Sequence, residues 1–330
     1  MKASNQEARG AADTTSEVVL VREQFNRVCC SLLLALFLLP VSSTAKVIAP
    51  DTPLSEPVSS GLGGRTLVVE EITATWCPSC AEIDPELAGV ADGHGSRIAL
   101  LALHPSDGED AFQPAASQHR IDRLLLTKNV DAFSTPTFVV EGGVPRVGYD
   151  AWTDVQRDIL DTELRRQSTS ELEFVVQQTS ERLEASIQQA NLKAEQNDQL
   201  TFLVLQHLKP MPDGFAHPGE PHRDRVVVGI AECHLATGNI TFASNVTAKV
   251  GLDGCASSFA IEFDEPDAWS VVLIHETATD ALQAGQPVAT FGAVELAKRE
   301  RSSDDTTQSV APWVIGGLFI LSLMAIARKK

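Results

Sequence analysis

A β-rich run, Thr66 to Thr73 (TLVVEEIT), stops just short of Trp76-Cys77-Pro78-Ser79-Cys80, and the residues beyond it, Ala81 to Val90, continue as a predicted helix. A strand that feeds straight into a helix puts Cys77 at the helix N-terminus, where unpaired N–H groups and the positive end of the dipole favour a thiolate. Such surroundings lower a cysteine pKa from ~8.5 to roughly 3.5–7.5. Cys77 is therefore the candidate nucleophile. Cys80, one turn later on the same face, is the candidate resolving thiol, able to attack a mixed disulfide and release its substrate. A CxxC is also half of a zinc site, but a zinc site needs a second close pair, and Cys233 and Cys255 stand apart from one another. No metal and no cofactor is assigned.

Downstream, Arg97 to Leu103 (RIALLAL) has the pattern of a buried strand. A helix follows around Ala115 to Leu126, with Ile121, Leu124 and Leu125 at helical spacing. Ser134 to Val140 and then Glu141-Gly142-Gly143 predict a hairpin whose second strand runs through Tyr149, and a last helix covers Ala151 to about Gln167. The order is β-α-β-α-β-β-α.

With Trp76-Cys77-Pro78-Ser79-Cys80 after a strand, and Thr135-Pro136 opening the strand before a glycine-containing hairpin, the chain resembles the thioredoxin superfamily over about 100 of its 330 residues. The resemblance implies an α/β thioredoxin fold for residues 64–167 and a cis Thr135–Pro136 bond packed against the Cys77–Cys80 pair. It also implies that an extended substrate docks on the backbone of Thr135, and that a buried carboxylate lies beneath the second cysteine. Glu71, six residues before Cys77, takes that last role: desolvation raises its pKa, and it can then accept the Cys80 proton. A register one residue off hands the role to Glu70. Trp76 is expected beside the dithiol, shaping a docking surface with Thr135 and Pro136. The sequence departs from the family in carrying Glu rather than Asp at position 71. It also has a longer acidic loop, His104 to Gln118, read as an ordinary solvated loop in preference to a lid or substrate rim, with His104 a weak acid–base candidate at a strand end.

After Ser168 the pattern changes to short alternating runs at Glu171–Gln177, Arg182–Gln188, Leu200–Gln206, Val226–Cys233, Ile240–Val250, Ser257–Phe263, Trp269–His275 and Pro287–Glu295. Seven or eight strands in residues 168–298 predict an all-β, immunoglobulin-like sandwich, separate from the first domain and free of any catalytic motif. Cys233 and Cys255 are expected to form a structural disulfide in an oxidising compartment. His207, His217, His222 and His234 have spacings that match no tight ligand pattern, and Asn239 and Asn245 begin N-glycosylation sequons.

Two apolar segments frame this body. Val28 to Val41 follows Arg22 and Arg27 and has the length of a signal-peptide core, so residues 1–45 are a signal peptide or an N-terminal anchor, and 46–63 a Pro- and Gly-rich linker. Val310 to Ala327 is long enough to cross a bilayer and ends in Arg328-Lys329-Lys330, which places a C-terminal transmembrane helix at 310–327 after a stalk at 299–309. The basic tail is then cytoplasmic and the body extracytoplasmic, at the cell membrane. With 26 Lys+Arg against 44 Asp+Glu, the net charge of -18 argues against nucleic acid as a partner.

The sequence therefore points to a membrane-tethered thiol-disulfide oxidoreductase acting on protein substrates with disulfides or thiols, and exchanging electrons with an unidentified redox partner. The alternative is a surface-interaction protein in which the β domain does the work and the thioredoxin-like part is a scaffold.

Overall fold

The structure, a computed structural model, describes residues 45–93, 97–126, 134–166, 169–193, 197–215 and 217–300. The chain runs β1 (Ala45–Ile48), β2 (Val58–Ser59), β3 (Leu67–Ile72), α1 (Pro78–Gly93), β4 (Ile98–Leu103), α2 (Ala115–Leu125), β5 (Thr137–Val140), β6 (Arg146–Val147) and α3 (Trp152–Arg165). It continues with β7 (Glu171–Thr179), β8 (Arg182–Asn191), β9 (Asp198–Gln206), β10 (Lys209–Pro210), β11 (His222–Arg223), β12 (Val226–His234), β13 (Asn239–Ser244) and β14 (Thr247–Lys249). The last elements are α4 (Cys255–Ser258), β15 (Ala260–Phe263), β16 (Trp269–Thr277), α5 (Thr279–Gln283) and β17 (Thr290–Lys298).

Ten strands form one sheet in the order β1-β17-β16-β9-β12-β4-β3-β5-β6, with β13 added on β12, and a second sheet runs β14-β15-β8-β7-β2. Each strand's composition follows from what covers it. In β7, Leu172, Phe174 and Val176 alternate with more exposed residues, and β8 does the same with Leu183, Ala185 and Ile187, because only one face of the small sheet is packed. Those side chains meet Phe202, Val204, Val271, Leu273 and Leu296 of the large sheet. The buried Cys233–Cys255 disulfide lies in the same core. By contrast, β3, β4 and β16 are buried along their whole length, and the near-continuous apolar runs of β4 and β16 are those of strands covered on both faces.

The expected fold class, an α/β thioredoxin fold plus an all-β immunoglobulin-like sandwich with a C-terminal transmembrane helix, requires correction. Strand residues outnumber helical ones, and strands from both sides of residue 168 share one sheet rather than building two separate folds. The join is β12 against β4, a parallel bridge at Val226 and Ala102 reinforced by Ala102 N–H donating to Arg225 O at 3.0 Å. Helix α2 then spans the seam. Its Ala116, Ile121 and Leu124 pack on Val68, Ile72 and Leu103 from one side and on Leu205, Val227 and Ile274 from the other. Periodicity reports which faces of a strand are apolar but not which neighbour completes its edge, so a shared sheet reads locally as two domains. Residues 310–327 lie outside the described residues, as do 1–44. Among the described residues, no helix is long and apolar enough to cross a membrane.

Two strand expectations also shift. The run Ile240–Val250 is split at Asn245, whose φ is +55° and whose side-chain amide donates to Val228 O at 3.0 Å. The chain thereby passes from β13 in the large sheet to β14 in the small one. The run from Ser257 opens on the short helix α4 instead of a strand.

A buried ion network fastens α2 across the seam. Arg120 donates to Glu70 of β3 at 2.6 Å and to Glu276 of β16 at 2.7 Å, and Arg123 pairs with Glu276 at 3.3 Å. Burial pushes the Glu276 carboxyl up, but Arg120 and Arg123 outweigh it and hold the pKa down at about 2. Removing one partner of such a network strands the others without solvation. Arg120→Leu is expected to lower the unfolding free energy by about 3–5 kcal/mol, measured as the shift of the urea midpoint at constant m-value.

Candidate functional site

The strand β3 sets the site because its side chains alternate between two differently furnished faces. Leu67 and Val69 face α1 and α3, whereas Val68 and Ile72 face α2. Glu70 accordingly meets Arg120 on α2. Glu71 points to the α1 side, the side of the dithiol helix.

After β3 the ladder continues for one residue, with Thr73 N–H donating to Leu103 O at 3.0 Å, and the chain turns through Cys77 N–H to Ala74 O at 3.2 Å. Ala81 N–H donates to Cys77 O at 3.2 Å, so Cys77 stands at the N-cap of α1 and Pro78 occupies the first helical position, where its missing N–H costs nothing. The amide of Cys80 donates to Cys77 Sγ at 3.2 Å, as a capping side chain accepts from the third helical residue. Cys77 and Cys80 are joined in a disulfide with Cα atoms 5.3 Å apart. That amide and the positive end of the helix dipole thus meet the Cys77 sulfur.

Both cysteines are covered: Cys77 is 2% exposed and Cys80 0%. Ala74 and Trp76 pack against them. The Thr135–Pro136 peptide is cis. Because β5 pairs antiparallel with β3 at Thr137 and Ile72, continuing that register sets Pro136 and Thr135 alongside Thr73 and Ala74, at the strand end from which the dithiol turn departs. Pro136 is buried and Thr135 half-buried.

The loop expected to be merely solvated is knitted to this turn. Trp76 Nε1 donates to Asp107 at 3.1 Å, Thr75 N–H donates to Asp110 at 2.7 Å, and Ala111 N–H donates to the Thr75 hydroxyl at 2.9 Å. The buried His104 ring, at the end of β4, pairs through Nδ1 with Asp110 at 2.8 Å. Burial alone raises the Asp110 carboxyl. The hydrogen bond and charge of His104, with the amides of Thr75 and Phe112, outweigh it and hold Asp110 below the usual carboxylate range.

Between β3, β4 and α1 lies a small cavity of about 20 Å³, lined by Glu71, Thr73, Asp84, His104, Arg223 and Asp224 among others, with room for a single water. Glu71 Oε1 and His104 Nε2 are buried there without a hydrogen-bond partner. Burial, and then the neighbouring Asp84, drive the Glu71 carboxyl well above its ordinary range, against the pull of Arg223. Burial also raises Asp84, to about 6, with Arg223 and His104 restraining the rise.

Arg223 arrives from the β-rich half. Its Nη2 donates to Thr75 O at 3.2 Å and to Pro218 O at 2.8 Å, and its Nε lies 3.7 Å from Asp84. The segment it anchors presses on α1: a Cβ at Gly219, where φ is +72°, would lie 3.0 Å from that of Ala81.

Sequence reasoning did not single out Asp84, Asp110 or Arg223. Asp84 carried a usable signal, four residues after Cys80 on the same helical face. Arg223, nearly 150 residues from the motif, carried none. Among the described residues, no group of three or more His, Cys, Asp or Glu is arranged to hold a metal ion.

No family model matches the chain, and no curated protein matches it. Among solved structures, HBP35 of Porphyromonas gingivalis aligns at 16% identity and a TM-score of 0.45, over 74% of this chain and 79% of that one. A crystal structure of an Agrobacterium tumefaciens protein aligns at 15% identity and a TM-score of 0.41, over 70% of this chain and 93% of that one. Likenesses this distant carry no argument about fold or chemistry.

Asp110→Asn keeps the shape but removes the charge that holds His104 and the amides of the loop. It is expected to cost about 1–3 kcal/mol and to speed amide hydrogen exchange at Thr75 and Phe112 relative to the rest of the sheet, as read by exchange mass spectrometry.

Proposed function

We propose that the protein is a thiol-disulfide oxidoreductase acting on protein cysteines through Cys77 and Cys80. The observation that carries this reading is the cap of α1: a bonded pair of cysteines whose leading sulfur already accepts the amide of Cys80 at the positive end of a helix. A purely structural disulfide has no need of that electrostatic arrangement.

In the reducing direction, the Cys77 thiolate attacks a client disulfide. A Cys77–client S–S bond forms, the client bond breaks, and one client sulfur leaves as a thiolate. Cys80 then loses its proton and attacks the Cys77 sulfur, forming the Cys77–Cys80 bond and expelling the second client thiolate. Two electrons pass from the protein to the client, and a dithiol redox partner restores them. In the oxidising direction the same steps run in reverse.

Thr135, Pro136 and Trp76 form the surroundings in which an extended client segment is read. Because Cys77 is so thoroughly covered, client access requires Trp76, which packs against the pair, to move aside. The activity belongs to the extracytoplasmic face of the cell membrane.

Reduction of insulin by dithiothreitol, followed as turbidity, is expected to accelerate with the wild-type protein and not with Cys77→Ser. Cys80→Ser is expected to accumulate mixed disulfides that a reducing gel resolves. A wild-type rate equal to that of Cys77→Ser sinks the proposal.

A further inference from the structure

Two carboxyls face the cavity between β3 and α1, and their settings differ. Glu71 comes from the middle of the sheet, is 2% exposed and has an oxygen with no partner. Asp84 comes from α1, one helical turn beyond Cys80 and on its face, with 28% of its side chain exposed. The charged and titratable groups around Asp84 are Glu71 from β3, His104 from the end of β4, Arg223 from β11, and Asp224 and Arg225 just beyond it. Arg223 stands 3.7 Å from Asp84.

We propose that Asp84, rather than the enclosed Glu71, is the proton acceptor that serves Cys80, with Arg223 holding Asp84 ready. This rests on the oxidoreductase reading above and assigns its proton path. In the resolving step, the Cys80 S–H bond breaks and its proton passes to the Asp84 carboxylate, which follows Cys80 by one turn on the same helical face and leans back toward it. The sulfur keeps the electron pair and forms the Cys77–Cys80 bond. Asp84 then returns the proton to solvent through its exposed edge.

The electrostatics agree with that division of labour. The Asp84 carboxyl, set near 6 by burial, is about 90% ionised at neutral pH and still basic enough to take a proton from a thiol, whereas burial and then Asp84 drive Glu71 well above the ordinary carboxylate range. Only the partly exposed member has a route to bulk water.

Arg223 is a positioning residue in this scheme. It arrives from the β-rich half and also holds the Thr75 and Pro218 carbonyls, which ties the set of Asp84 to the seating of the segment that presses on α1 at Ala81.

The test uses the reduced protein and the aromatic disulfide 5,5′-dithiobis(2-nitrobenzoate) in stopped flow. The first coloured thiolate reports attack by Cys77, and the second reports resolution by Cys80. In the wild type the second step is expected to slow on acidification with a midpoint near 6. Asp84→Asn is expected to lose that inflection and to resolve about tenfold more slowly at neutral pH, since an unassisted thiol with pKa ~8.5 is only a few per cent ionised there. The first step is expected to keep its rate. Arg223→Gln is expected to move the midpoint upward, because the cation that favours the carboxylate is gone.

An Asp84→Asn profile identical to the wild type, or loss of the inflection in Glu71→Gln with Asp84→Asn unaffected, overturns the assignment while leaving the oxidoreductase reading in place. Absence of the first thiolate from folded wild-type protein removes that reading and the assignment with it. If Asp84→Asn does not fold, carbon-13 titration of the Asp84 carboxyl in the reduced wild type decides: a midpoint matching the kinetic inflection supports the relay, and a mismatch overturns it.

Discussion

Arg120 bonds Glu70 of β3 and Glu276 of β16 in a space from which water is almost wholly excluded, with all three side chains at most 3% exposed. Each of these ions alone costs several kcal/mol to bury, so the arrangement persists only because the charges are paired at short range and their remaining hydrogen-bonding capacity is used. Thr201 adds a bond to Glu276 at 2.6 Å, and Ser117 on the same helix donates to Val227 O at 2.8 Å. Helix α2 is thus fixed against strands from both ends of the chain. The orientation of β3 follows from that fixing: with Glu70 committed to Arg120, Glu71 has to face the dithiol side.

The two adjacent glutamates show how one strand divides its chemistry. Glu70 is bound by Arg120, and its side of the strand is part of the joint with α2. Glu71 keeps an orphaned oxygen in a cavity with Asp84, His104 and Arg223, a set of polar groups whose mutual demands are only partly met. Buried polar groups left short of partners cost stability, and this set lies between β3 and the helix that the Cys77–Cys80 disulfide heads. The loop from His104 to Gln118 serves the same region, since Asp110 fixes both the Thr75 amide and the His104 ring.

What could be read ahead of the structure was local. The strand before Cys77, the helix after it, the helical spacing of Ile121 and Leu124, and the alternation of Leu172, Phe174 and Val176 all show in the primary structure because each is dictated by neighbours within a few residues. The site was legible to the same extent: Cys77, Cys80 and Trp76 stand in one run, and Glu71 falls on the α1 face by simple alternation from Leu67 and Val69. The loop was misjudged as solvated because nothing in its composition reveals that Asp107 and Asp110 bond the motif turn. The sheet switch at Asn245 was missed because its flanking runs have the same period on either side of a single left-handed residue.

The amino-acid sequence by itself determined the dithiol, its place at the head of a helix, and the periodicity of nearly every strand, since backbone sterics, capping and burial patterns act over short stretches of chain. Only the tertiary structure decided that β4 would find β12 as its neighbour, that α2 would lie across the join, and that Arg223 would reach Thr75 and Asp84. Those outcomes depend on which edges and charges meet after distant segments fold together, and pairings between residues more than a hundred positions apart leave no periodic trace in either partner.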